Sequence, residues 1–245
     1  MKTIKSIMVL ATLLLLIPCS TNAQEQESFI MNLTEFTVKF GQDNNFTDGV
    51  KKWNKCYQDN NGTEKWNVWH RLQGKGNVYV LTDNMANWAE MSKVDAAGNT
   101  CRNVALESIM PFIESSEFNT TRSWPQMSRK APFGDATIVW VTNFEVEDDF
   151  TFNKIIKEVT SAISSKEGDK RGYWYRVMGG EGANYFVSTP YKDFAAMDMN
   201  EDNVWKVYES VHGEKKTLET REKFRESVKD IWSYTFMLEK ELSME

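Results

Sequence analysis

The stretch YRVMGGEGANYFVST, from Tyr175 to Thr189, places three glycines within four residues after an apolar run. A phosphate-cradling loop needs a strand, then glycines, then a helix whose N-terminus meets the phosphate. Here the glycines lead into ANYFVST, a second run of strand-forming residues, so the stretch reads as a hairpin turn. An earlier copy supports that reading. WHRLQGKGNVYVLT, Trp69 to Thr82, keeps glycines where a positive φ is needed and varies elsewhere, as a turn permits.

The copy belongs to a longer duplication. TVKFGQDNNFTDGVKKW, Thr37 to Trp53, is echoed by VTNFEVEDDFTFNKII, Val141 to Ile156, which matches Phe40 and Phe46 to Phe144 and Phe150; FIES at Phe112 is echoed by FRES at Phe224. Each copy opens on an alternating strand, LTEFTVKF (33–40) or TIVWVTNF (137–144). A helix follows, with Asn45 or Asp149 as the expected cap, and in the second copy Phe152, Ile155, Ile156, Val159 and Ile163 fall on one face. Two strands joined by the glycine turn, a helical region and a last strand at RSWPQMS or WSYTFMLEK complete a β-α-β-β-α-β unit. That order is the ferredoxin-like plan, and the fold class is α+β.

At the N-terminus, Lys2 and Lys5 precede the apolar run IMVLATLLLLI, which Pro18 ends before small residues up to Ala23. This is the pattern of a signal peptide over residues 1–23, and the run is too short for a lasting membrane anchor. The repeats then occupy 24–131 and 132–245, in an exported, periplasmic or secreted protein. Cleavage would remove two lysines and no acid, taking the whole chain's charge of −6 to −8. An acidic balance argues against nucleic acid or an anionic membrane as partner. Cys56 and Cys101 remain, and in an oxidising compartment such a pair points to a disulfide between the two helices of the first repeat.

Two ferredoxin-like units in one chain, with aromatic strands and no nucleotide motif, resemble the dimeric α/β-barrel superfamily in its fused, tandem form. The resemblance covers residues 30 to 242 and implies two four-stranded sheets closing as a pseudo-twofold barrel with helices outside. That group includes cofactor-free monooxygenases of small aromatic compounds, haem-handling enzymes and chlorite-dismutase-like proteins. No string in this sequence selects one of them, so no family site residue carries over.

The residues themselves offer candidates. Trp69 and Arg71 match Trp174 and Arg176, and i, i+2 spacing puts each pair on one strand face. Facing the space between the sheets, they would suit an aromatic or anionic ligand; facing elsewhere, they are core and rim residues. His70 stands where the other repeat has Tyr175 and is a candidate acid, base or haem ligand, against the plainer reading of a structural histidine. His212, before Gly213, ends a helix and is the other histidine a haem could use. DMNEDNVWKVYE, Asp198 to Glu209, imitates a calcium loop but lacks its glycine, and Asn200 or Asp202 as a helix cap explains it. No metal site and no required cofactor are expected. Nine Trp, eight Tyr and 14 Phe without a clear acid-base set favour binding of a small apolar or anionic molecule. The alternatives are an oxygenase-like or haem-dependent enzyme, and a protein-interaction module.

Overall fold

The computed structural model describes residues 27–199 and 202–244. The expected signal peptide and the Asn200 cap lie outside them. The first half comprises β1 (Ile30–Val38), α1 (Asp43–Asp59), β2 (Trp66–Arg71), β3 (Asn77–Met85), α2 (Ala96–Ser108) and β4 (Ile113–Ser123). The second comprises β5 (Ile138–Val146), α3 (Asp149–Glu167), β6 (Tyr173–Gly179), β7 (Tyr185–Tyr191), α4 (Phe194–Met197), α5 (Val204–His212), α6 (Glu214–Ser227) and β8 (Val228–Leu238).

Each half forms an antiparallel sheet, ordered β4-β1-β3-β2 or β8-β5-β7-β6, and the pairings β2 with β8 and β4 with β6 close the ring. Directions alternate around the ring, so β1 and β5 run the same way and the pseudo-twofold lies along the barrel axis. The hairpins at 72–76 and 180–184 therefore share one end of the barrel, and the connection at 124–137 spans the other. Gly74, Gly76, Gly180 and Gly182 have φ of 101°, 80°, 121° and 85°, the conformation that these turns require of glycine.

Helices cover the outside because each strand alternates, sending one set of side chains outward. α1 lays Phe46 and Tyr57 over Trp66, Val68 and Tyr79. α3 lays Phe152 and Ile156 over Phe144, Trp174 and Tyr185, while its Ile155, Val159 and Ile163 meet Val207 and Tyr208 of α5. Each such side chain removed from water contributes roughly 1.5–3 kcal/mol. Cys56 of α1 and Cys101 of α2 are bonded, with their Cα atoms 5.9 Å apart.

The ladders correct the alignment of the repeats. Phe36 pairs with Tyr79, and Phe144 pairs with Tyr185. Tyr79 packs on Phe46 and donates its hydroxyl to Asp43 at 2.6 Å; Tyr185 packs on Phe152 and donates to Asp149 at 2.5 Å. The true partners are thus Phe36 with Phe144 and Phe46 with Phe152. Phe40 is fully exposed and Phe150 is 81% exposed. The first copy has two more residues between strand and helix, and a match on letters alone absorbed that difference in the wrong place.

Other expectations shift similarly. Asp148, not Asp149, caps α3 by accepting from the Thr151 N–H, which frees Asp149 for Tyr185. α1 starts after Gln42 without a side-chain cap, and Asn45 bonds Gln42 instead. The last strand of the first half ends at Ser123, before WPQMS, because its inward residues Glu117, Asn119, Thr121 and Ser123 are polar and hide the strand pattern. Asn203, rather than Asp202, caps α5 within the calcium-like segment, accepting from Trp205 and Lys206; Asp202 pairs with Lys206.

Candidate functional site

The inward faces of the eight strands do not fill the barrel. They enclose a cavity of about 750 Å³. At the linker end Phe133 packs against Trp69 and Tyr173, with ring centroids 5.9 and 5.8 Å apart, and Tyr173 donates to the Ala131 carbonyl. Midway, Trp69 and its structural counterpart Tyr175 stand on opposite walls; the Trp69 indole bonds Thr82, and Tyr175 stacks on Phe186 at 4.8 Å. Burial, with Tyr173 close by, pushes the Tyr175 phenol well above its ordinary range.

The hairpin end is charged. Arg71 is 8% exposed, lies 4.6 Å over the Tyr234 ring, approaches Glu35 at 3.9 Å and donates to the Lys75 carbonyl. Its Nε is buried without a hydrogen-bond partner. Glu35 is paired across the ladder with Glu117. Burial pushes the Glu35 carboxyl up, Glu117 adds to that, and the Arg71 guanidinium only partly offsets it. Asn119 donates to the Glu117 carboxylate at 3.0 Å and accepts from the Glu181 N–H at 3.1 Å, so the two glutamates share one rim.

Of the four matched candidates the structure unites only two. Trp69 and Arg71 face the cavity, whereas Trp174 is buried under α3 and Arg176 lies outside, over the Tyr185 ring at 5.8 Å. His70 pairs with Tyr79 as Arg176 pairs with Tyr185, so His70 and Arg176 are counterparts, as are Trp69 and Tyr175. The letter match W-x-R set Trp69 over Trp174, one position away from the register that the ladders adopt, and one position reverses the face. Glu35, Glu117 and Tyr175 were missed. Glu35 stands in LTEFTVKF between inward-facing Leu33 and outward-facing Phe36, and a charged residue on the inward face of that alternation was the available signal.

No protein-family model matches the chain, and no curated protein matches it. Solved structures do. A proposed monooxygenase from Lactobacillus acidophilus matches at 11% identity over 86% of this chain and 94% of that one, with a TM-score of 0.52. An anthrone oxidase-like protein matches at 10% identity over 86% and 91%, with a TM-score of 0.50. A variant chlorite dismutase from Candidatus Nitrospira defluvii matches at 9% identity over 88% and 94%, with a TM-score of 0.51. At such identities the likeness is one of fold, and it agrees with the closed strand order. The fold is that of a dimeric α/β barrel, here built from one chain.

The residues of this chain do not fit a haem held by histidine or thiolate. His70 lies outside the cavity, bonded to Asn77 at 2.8 Å and stacked on Tyr79 at 4.4 Å. His212 is exposed at the end of α5, against Tyr208. Cys56 and Cys101 bond each other, and rings fill the layer between helices and sheet in both halves. Among the described residues no group of three or more His, Cys, Asp or Glu could hold a metal ion, and no helix is long and apolar enough to cross a membrane.

Proposed function

We propose that this barrel is exported and holds one small, largely apolar molecule between its two half-sheets. The observation that carries the reading is the unfilled interior. Eight-stranded barrels are just wide enough either to be packed with side chains or to hold one small ligand, and about 750 Å³ walled by aromatic and aliphatic groups falls within the usual range of ligand sites. The candidate residues narrow accordingly to Trp69 and Arg71, joined by Tyr175 and Glu35. The apolar leader and the Cys56–Cys101 bridge support export. Native mass spectrometry of protein from its source should find a bound small molecule, lost when Val177→Trp fills the cavity. Protein free of ligand that also binds no apolar probe would refute the reading.

A second reading, oxygenase-like chemistry on the bound molecule, is favoured by the monooxygenase-like fold neighbours and by one pair in the cavity. Glu35, with its carboxyl raised, would take a proton from the molecule, and Arg71 would hold the negative charge left behind. Oxygen uptake with hydroxylated aromatic compounds, abolished in Glu35→Gln, supports this reading. No uptake across such compounds, with binding intact, leaves the barrel a binder.

A further inference from the structure

The two halves of the barrel differ most at the hairpin end, where the pseudo-twofold sets like positions at equal height. Ladder registers align Arg71 with Val177, Glu35 with Asn143, and Glu117 with Trp232. At these strand positions the charged groups come from the first half, and their counterparts Val177, Asn143 and Trp232 are uncharged; the second half adds Glu181 from its hairpin. Around this mouth the signs are unequal. Arg71 is already engaged by Glu35 and by the Tyr234 ring. Glu117 and Glu181 line the same mouth, and neither has an ion-pair partner among the described residues. Lys75, in the adjoining hairpin, does not line the cavity.

Like charges directly opposite on neighbouring strands destabilise a sheet, and Glu35 and Glu117 form such a pair. Trp232 stands across from these acids and makes no ring stacking within the described residues. A carboxylate rim opposite an unstacked indole is the arrangement that favours an organic cation, by charge on one side and the ring face on the other. Independently, the buried Nε of Arg71, beside this rim, has no hydrogen-bond partner within the protein, and an acceptor on a ligand would satisfy it.

We infer that the molecule held in the barrel carries a protonated amine at the hairpin end, between Glu117, Glu181 and Trp232, on an aromatic body that presents an oxygen to Arg71. This rests on the proposal that the cavity is a ligand site, and it replaces the anionic ligand that Arg71 alone suggests. An anion at this mouth would meet three glutamates and one arginine whose charge is already shared.

The test uses three probes with one ring system and different charge: 1-naphthylmethylamine, 1-naphthalenemethanol and 1-naphthoate, titrated calorimetrically into the full chain at pH 7. The amine should bind about tenfold tighter than the alcohol, and the naphthoate should bind weakest. In a Glu117→Gln, Glu181→Gln double variant the amine-to-alcohol ratio should fall close to one, while Glu107→Gln, on the exposed surface of α2, should leave it as in the parent. Naphthoate binding as tightly as the amine, or a preference that survives the double variant, would overturn the inference while the cavity reading stands. Binding of none of the three would overturn the cavity reading and this inference with it.

Discussion

Asp43 and Tyr79 meet again as Asp149 and Tyr185, and these pairs fasten each first helix to its sheet. Burial pulls the Asp43 carboxyl up, but the Tyr79 hydroxyl and the Asn77 amide bond its charged form and His70 adds attraction, so it titrates below the usual carboxylate range. A depressed carboxyl contributes stability above its unfolded value of ~3.9 and loses it as pH falls through the folded value. Tyr79→Phe should therefore cost about 1–2 kcal/mol in urea unfolding at pH 7, and less as the pH drops below 4. Glu35 has the opposite sign. Its folded value is raised, so its contribution is complete below the unfolded value of ~4.3 and is lost as pH climbs through the folded one. The melting temperature of the parent, measured relative to Glu35→Gln, should fall between pH 4 and pH 7; a difference that stays flat or rises would contradict the buried, raised carboxyl. Neither role was visible in the letters, because partners such as Asp43 and Tyr79 meet only once strand and helix have packed.

At the scale of elements, α3 was legible nearly residue by residue. Phe152, Ile155, Ile156, Val159 and Ile163 recur at helical spacing, and all five are buried. β4 was not legible in the same way, since its inward face lines a polar wall and its outward Phe118 is exposed, so no hydrophobic period marks it. The corrected alignment makes a sharp prediction about neighbours two residues apart. Phe152→Ala should destabilise by roughly 3–5 kcal/mol, and Phe150→Ala by less than about 0.5, as read by chemical denaturation. Equal effects would restore the letter match and reject the ladder register. The bridge between α1 and α2 closes a sequence separation of 45, which in the chain-entropy model is worth roughly 4 kcal/mol. Cys56→Ser with Cys101→Ser should lower stability by up to that amount, and thiol titration of the denatured, unreduced chain should find Cys56 and Cys101 unreactive.

For the whole molecule, the duplication and the β-α-β-β-α-β order carried the architecture, because each repeat needs a second sheet to cover its inward face. The inside of the barrel was only half legible. Which strand face points inward depends on register, and the doubled Trp-x-Arg pattern invited a symmetry that the ladders do not have: Trp69 faces the cavity and Trp174 faces α3. Inside the barrel the halves diverge, with Arg71, Glu35 and Glu117 standing where the second half has Val177, Asn143 and Trp232, and divergence is what a search for repeats discards. Oxygen uptake, co-purified ligand and probe selectivity each address a part of this account. A crystal structure of the chain soaked with 1-naphthalenemethanol addresses its centre. The ring should lie inside the barrel, between Trp69 and Tyr175, with the end bearing its hydroxyl towards Arg71. A barrel interior closed by its own side chains, or a ring seated outside between α3 and α6, would contradict it.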